Sequence, residues 1–529
     1  MGSFLRRWPA EYRVDLFAPG LFLVLLVLLA WRVEAPVLHI WDEARLAVNA
    51  AEMLRSGDWL VTRYGGQPDL WNTKPPLLIW LQAAGLYLLG HNTLAIRLPS
   101  VAAALGTAWL VYRFGRYGLG SRFVGTFAAL ILATSPGFNG THVARFGDYD
   151  AVLCLALTAA ALCWYRYGQR RQEAQLWLGA GWFALALLTK SAAALLIMPS
   201  LAICLLVQPA HWVFGQWRTY GAVAAAFGPL ALFYVLREAA ATGYLHATWA
   251  NDWYGRLSQP LATVRYPWWI YFERLLFPGL LGWSLLLPVG SWLGSFAHRA
   301  APPKVRFARF ASLYVAVFLV VVSVARTRLV WYSAPVYPVA ALLCALGLEQ
   351  LTRQALHHWR WPRPVVIGLL VLAPVGAGAA LLHHEWRRWQ SEKTDPTLRY
   401  GYQTPLFAAA AARRTSFTIL REAQNNAVLD FYVAASRQQG VPPTVLIAHD
   451  STLRQLRPGQ HILICPEPIQ RYVRQHYRTR PLSAAAPCAF LEILGRKEPL
   501  LKEAVSAPRA GQVLPRSYFT ARPDSLPNR

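Results

Sequence analysis

Long apolar runs recur through most of the chain, separated by short polar loops. They fall at 16–33, 76–90, 94–112, 122–137, 150–166, 176–189, 191–207, 219–237, 268–296, 310–325, 331–349 and 364–382. Such runs suit helices crossing a hydrocarbon layer about 30 Å thick, where every backbone N–H and C=O must be satisfied internally. The pattern predicts an all-α polytopic membrane domain of about 11–13 transmembrane helices over residues 1–384. Residues 385–529 have a different texture. They are mostly polar, and the apolar stretches Ala427–Ala435, Thr444–Ile447 and His461–Cys465 alternate with turn residues. This predicts a small α/β domain. From about Lys502 the chain is rich in Pro, Arg and Ser and predicts no packed structure.

Charge sets the orientation. Lys and Arg number 52 against 26 Asp and Glu, a net charge of +26. Arginine-rich loops at 113–122, 166–171, 298–309 and 353–363 belong on the cytoplasmic side by the positive-inside rule. They absorb much of the excess, and no soluble domain carries a basic patch interleaved with aromatics, so nucleic acid is not a partner. The rest suits anionic lipid head groups and phosphates. Leu16–Val33 lacks a small-x-small cleavage site, and Arg6, Arg7 and Arg13 precede it. It reads as a first span with a cytoplasmic N-terminus. Parity then places the loops 34–75, 138–149 and 238–267 outside, with the C-terminal domain. One crossing fits between Lys74 and Arg113, so 76–90 and 94–112 compete for it. The expected setting is a bacterial-type cytoplasmic (inner) membrane.

Four cysteines, Cys154, Cys163, Cys204 and Cys344, lie in apolar runs and read as small core residues. Cys465 and Cys488 lie in the tail. Outside the cytoplasm a disulfide between them would close a loop of about two dozen residues, and the sequence leaves that pairing open.

This topology collects the polar outliers on one face. The first outside loop holds Asp42, Glu43, Arg45 and Lys74; the second holds His142, Arg145, Asp148 and Asp150. Lys190 sits at another outside turn, and His246, Asn251, Asp252 and Arg256 occupy the third outside loop. Arg326, Arg328 and Tyr332 open a later helix. Ionisable groups at membrane depth are costly and are functional candidates by default. Each also has a plainer role. Asp42 and Glu43 suit the first turn of a helix, Lys74 suits an interfacial anchor, and Arg145 with Asp150 suits a structural ion pair. Arg256 and Arg328 suit lipid-facing anchors. No His or Cys pattern has metal-ligand spacing, and no Gly-rich nucleotide loop or hydrolase elbow is present. Carboxylates beside cations at one bilayer face suit a reaction on a lipid-linked phosphate. A carboxylate activates an acceptor hydroxyl, and Lys or Arg stabilises charge on the departing phosphate.

Asp42-Glu43-Ala44-Arg45, Gly57-Asp58-Trp59 and Lys74-Pro75-Pro76-Leu77 together resemble the membrane glycosyltransferases of the GT-C class. The resemblance is to the protein O-mannosyltransferase and aminoarabinose (lipid A) transferase group. It continues through Arg97-Leu98-Pro99-Ser100, Arg145 to Asp150, Leu188-Thr189-Lys190 and Thr327 to Tyr332, covering roughly residues 15–350. It implies a polyprenyl-phosphate-linked sugar donor such as undecaprenyl phosphate, an extracytoplasmic site, and inverting transfer to a lipid, glycan or protein. Asp42 matches the acidic residue that acts as base or orients the acceptor, Glu43 adjoins it, and Asp150 matches a second acidic position. Lys74 matches the lysine that contacts the donor phosphate, with Arg256 and Tyr332 as further phosphate contacts. Arg45, Arg145, Asp148, Lys190 and Arg328 complete the substrate-binding candidates. One position departs. Aminoarabinose transferases read Glu before this lysine, a residue associated with a metal, whereas this chain has Thr73. No metal ligand is assigned, a divalent metal is left open as a cofactor, and the argument for lipid A weakens. The alternative is a transporter or flippase for an anionic lipid or sugar phosphate, in which the same cations line a path. Such proteins usually show repeated halves, and no internal repeat is visible.

Overall fold

The computed structural model describes residues 17–39, 42–207, 210–258, 266–295, 302–393, 395, 398, 401, 416–422, 426–438, 443–483 and 488–497. Arg6, Arg7, Arg13, part of the 298–309 loop and the end from about Lys502 lie outside them. So does the side chain of Arg256, whose backbone belongs to the helix Tyr254–Ser258.

Every apolar run carries a helix. Seven helices among the described residues are long and apolar enough to cross a membrane: Thr93–Gly118, Tyr149–Arg170, Glu173–Leu195, Trp217–Ala240, Pro303–Val324, Val330–His357 and Arg363–Glu392. Ile270–Gly279 and Leu281–Ser295, bent by 114°, pass the same test as a pair. Pro278 lies just before the bend, where its missing N–H weakens the helical ladder. Before residue 389, four further apolar helices among the described residues, Ala18–Ala30, Leu77–Leu89, Arg122–Thr134 and Ile197–Val207, are shorter. A helix of thirteen residues reaches only roughly 20 Å, less than the hydrocarbon thickness.

The described residues fall into two compact units, one within Met1–Pro36 and Arg45–Arg388, the other within Val37–Ala44 and Trp389–Arg529. In the first, the helix Tyr149–Arg170 is central: 89% of its apolar window is buried, against 17% for Arg363–Glu392. Ala151, Cys154, Ala156, Ala159, Ala160 and Ala161 are all buried along it, and small side chains let neighbouring helices approach. Arg363–Glu392 is apolar and largely uncovered, as a lipid-facing helix would be. Helix starts follow sequence signals. Asn92 accepts from Ala95 N at 2.9 Å, Ser121 from Val124 N at 3.2 Å, and Asp148 from Tyr149 N at 2.6 Å. At Gly85 a Cβ would stand 2.4 Å from the Ala95 carbonyl oxygen, so only glycine allows Leu77–Leu89 to pack there.

The second unit holds a five-stranded sheet. A two-residue hairpin, β1 (Arg63–Tyr64) and β2 (Gln67–Pro68), precedes it in the chain. The sheet comprises β3 (Thr418–Arg421), β4 (Thr444–Ile447), β5 (His461–Ile464), β6 (Tyr477–Ser483) and β7 (Ala489–Arg496), in the order β4-β3-β5-β7-β6. β3 runs parallel to β4 and β5, while β7 is antiparallel to β5 and β6. Cys465 and Cys488 form a disulfide that joins the end of β5 to the start of β7. The segment Val37–Ala44 is tied into this unit: Leu38 N donates to Tyr432 Oη at 3.3 Å, and His39 Nε2 lies 2.9 Å from Glu392 Oε1.

Candidate active site

A cavity of about 210 Å³ opens in the membrane unit and brings together Lys74, Asp150, Lys190, Asp252 and Tyr332. Its other walls are largely apolar, with Leu153, Leu196, Phe318 and Val322 among them.

Lys190 reaches the cavity through a break in its helix. Within Glu173–Leu195 its backbone has φ −154° and ψ 78°, so the turn expected there is a kink and the helix resumes for five residues. From the kink, Nζ donates to both oxygens of Asp150, at 3.0 and 2.9 Å. Asp150 sits in the first turn of Tyr149–Arg170, where the helix dipole favours an anion. Both partners are nearly buried. Desolvation makes such a pair costly unless hydrogen bonds satisfy it, and the bidentate contact does so.

Lys74 is held from both sides. Asn72 Oδ1 accepts from Tyr149 Oη at 3.0 Å, and Asn72 Nδ2 donates to Asn49 Oδ1 at 2.9 Å. Asn49 Nδ2 donates in turn to Asp69 Oδ2 at 3.0 Å. On the other side, Thr73 Oγ1 donates to Asp252 Oδ2 at 2.6 Å, and Tyr244 Oη donates to the Thr73 carbonyl at 2.8 Å. Pro75 and Pro76 then start the helix Leu77–Leu89, where a missing N–H costs nothing. Lys74 Nζ lies 5.5 Å from the centroid of the Tyr149 ring, and among the described residues no carboxylate is within ion-pair reach of it.

Several predicted residues stand elsewhere. Arg45 does not line the cavity. It grips Asp69 with two hydrogen bonds, 3.0 and 2.8 Å, between the rings of Tyr64 and Trp71. Burial alone would raise the Asp69 pKa, but the bonds from Arg45 and Asn49 hold it below the usual carboxylate value. Arg145 forms no pair with Asp150. It donates to the carbonyls of Trp31 at 2.5 Å and Leu29 at 3.5 Å, and its Nε lies 3.3 Å from Glu385 Oε2. Burial lowers its pKa to about 10 against the attraction of Glu385. The reason is local. The helix Ala18–Ala30 ends with orphan carbonyls that need donors, and Arg97 serves the next ones, Val33 and Pro36, at 2.8 and 2.9 Å. Arg328 likewise donates to the carbonyls of Ser323 and Tyr266, at 3.2 and 3.0 Å.

Asp148 caps the helix at Tyr149 and takes His142 Nδ1 at 2.5 Å. Burial pushes its pKa up, but the hydrogen bond and charge of His142 and the charge of Lys190 bring it down to about 2. The imidazole stacks on Trp331, centroids 3.8 Å apart.

Asp42 and Glu43 open the helix Asp42–Ser56 and belong to the second unit. Glu43 is buried and accepts from His39 N at 2.7 Å, a cap on that helix. The structure thus gathers Lys74, Asp150, Lys190 and Tyr332 in one cavity. Asp252 joins them without having been singled out as a site residue. Its one sequence signal is an acidic residue in the segment Trp249-Ala250-Asn251-Asp252-Trp253, which is otherwise mostly apolar.

The chain, with a charged cavity in its helical membrane unit and a five-stranded sheet in its second unit, shares its fold with a solved protein. It superposes on ArnT from Cupriavidus metallidurans bound to undecaprenyl phosphate with a TM-score of 0.65 at 17% identity, covering 90% of this chain and 97% of that one. Residues 73–236 match the family described as dolichyl-phosphate-mannose-protein mannosyltransferase. The chain is 29% identical over 353 residues to an undecaprenyl phosphate-alpha-4-amino-4-deoxy-L-arabinose arabinosyl transferase of Edwardsiella ictaluri (strain 93-146), covering 62% of this chain and 59% of the relative. A second such transferase, from Proteus mirabilis (strain HI4320), is 26% identical over 364 residues, covering 66% and 64%. The chain therefore spans about three-fifths of the length of these relatives.

Proposed function

We propose that the chain is a glycosyltransferase that moves one sugar from a polyprenyl phosphate, with undecaprenyl phosphate the carrier its relatives' names suggest, to an acceptor outside the cytoplasm. The observation that carries this reading is Lys74, a cation without a carboxylate partner among the described residues, held at a largely apolar cavity. A phosphate on an isoprenoid chain needs both features. In the reaction, the acceptor hydroxyl oxygen attacks the anomeric carbon as the carbon–oxygen bond to phosphate breaks, giving inversion. The hydroxyl proton passes to a carboxylate, and the carrier leaves as a phosphate monoester. Lys74, with Lys190, Arg256 and Tyr332, stabilises the charge that develops on that phosphate.

Asp42 is the base in this reading, with Glu43 beside it shaping the helix start. Asp150 has both oxygens on Lys190, which suits aiming the lysine better than taking a proton. Arg45, Arg145, Asp148 and Arg328 support the site through the backbone and side chains they hold. The membrane domain is 1–384 with a cytoplasmic N-terminus in the inner membrane, and the domain 385–529 is extracytoplasmic. The Cys465–Cys488 disulfide supports an oxidising side for it. The acceptor is a lipid, glycan or protein, and Thr73 stands where the family resemblance implies a Glu, which argues against copying a metal site.

The test compares wild type and Asp42→Asn, reconstituted with an undecaprenyl-phosphate-linked sugar, by mass spectrometry of candidate acceptors. Wild type adds one sugar mass and the variant, folded and inserted, adds none. Near-normal turnover by Asp42→Asn removes the base assignment. Movement of labelled lipid across the bilayer without sugar transfer replaces the whole reading with transport.

A further inference from the structure

The two lysines of the cavity come from distant parts of the chain, and neither has regular backbone. Lys74 lies in the irregular segment before the helix Leu77–Leu89. Lys190 lies at the break within Glu173–Leu195. One stretch of chain reaches the neighbour of each. Tyr234, near the end of the helix Trp217–Ala240, places its Oη 2.7 Å from Ser191 Oγ. Ser191 follows Lys190 and lines the same cavity. A serine inside a helix often turns its hydroxyl back to its own helix, so this bond outward anchors the break. The same Tyr234 hydroxyl meets the Trp253 side chain. Tyr244 opens the next short helix, Tyr244–Thr248, and its Oη donates to the carbonyl of Thr73 at 2.8 Å. Thr73 directly precedes Lys74.

The two tyrosines pack on one another, ring centroids 6.1 Å apart. Arg237 lies three residues beyond Tyr234 and sets its guanidinium 4.5 Å from the centre of the Tyr244 ring. Arg237 and Tyr244 are each 1% exposed, and a cation over a ring is held more strongly where water is excluded. Phe233 meets the same ring edge-on at 5.9 Å. The tyrosines therefore form one strut with a hydroxyl at each end. Neither lines the cavity itself. We propose that Tyr234 and Tyr244 are positioning residues: as one packed pair they fix the backbone that carries Lys190 and Lys74, so that both lysines meet the same phosphate. A lysine already anchored binds an anion without first losing its own freedom, and releasing one anchor is expected to weaken phosphate binding about tenfold. This role deepens the polyprenyl-phosphate reading and rests on it.

The test measures the affinity of the full chain in nanodiscs for undecaprenyl phosphate, at matched folded fraction. Tyr244→Phe and Tyr234→Phe keep the ring and remove the hydroxyl, and each is expected to weaken binding about tenfold. Tyr244→Phe should add nothing once Lys74→Ala is present, because its effect passes through that lysine. Tyr234→Phe should likewise add nothing to Lys190→Met with Asp150→Leu. Ser191→Ala should match Tyr234→Phe, and the two together should cost no more than either alone, which separates this bond from the Trp253 contact. The same tenfold loss with and without the lysine would mark general packing and overturn the proposal. Wild-type affinity in either tyrosine variant would overturn it too. Failure of wild type to bind undecaprenyl phosphate overturns the polyprenyl-phosphate reading itself.

Discussion

Two groups of buried charge in the membrane unit look alike in the sequence and differ in what they face. Arg97, Arg145 and Glu385 are each no more than 5% exposed. The first two arginines spend their donors on main-chain carbonyls from Leu29 to Pro36, and Arg388 closes on Glu385 at 2.7 Å. Lys74, Lys190, Asp150 and Asp252 instead border a cavity. The first group holds the end of one helix. The second faces a space that a ligand can enter. Burial of an ionisable group is therefore a weak sign of function by itself, and the atoms that its polar end meets decide the matter.

The comparison breaks most readily at Lys74 and Arg145. Lys74→Ala is expected to lower transfer by at least about a hundredfold, the scale for losing a donor aimed at developing charge, while its melting temperature stays near wild type. Arg145→Ala should do the reverse. It leaves Glu385 and two carbonyls short of donors, costs about 3 kcal/mol or more, and lowers the melting temperature and yield, with activity per folded molecule largely kept. Equal activity losses at matched stability would erase the distinction.

A sharper version concerns the Asp150–Lys190 pair. Lys190→Met strands a buried carboxylate and should cost about 3 kcal/mol, whereas Lys190→Met with Asp150→Leu should recover most of the stability but none of the lost transfer. Thermal unfolding and turnover of the single and double variants separate the two effects. The last prediction stands at the edge of the comparison, in the second unit. Cys465→Ser should lower the stability of the sheet domain by about 3 kcal/mol, read as earlier proteolysis between β5 and β7, with membrane helices unaffected.

Much of this was legible in the sequence. Each apolar run became a helix, because lipid leaves the backbone few alternatives, and even the break at Lys190 fell where the run was interrupted by a charge. Lys74 was readable from its place beside Pro75 and Pro76. Three features were not. Arg145 paired with Glu385, 240 positions later in the numbering, because the orphan carbonyls that recruit it become visible only once the first helix ends. The segment Val37–Ala44, carrying Asp42 and Glu43, joined the second unit, through partners such as Tyr432 that no local pattern announces. The bond between Asp252 and Thr73 stayed hidden because the two residues lie 179 positions apart, and pairing at that range leaves no trace in spacing.

The most direct measurement is native mass spectrometry of undecaprenyl phosphate bound to the full chain, comparing wild type, Lys74→Ala and Arg145→Ala at matched folded fraction. The account predicts one lipid retained by wild type and by Arg145→Ala, and loss of about a hundredfold in affinity for Lys74→Ala. Equal retention by Lys74→Ala and wild type would contradict it.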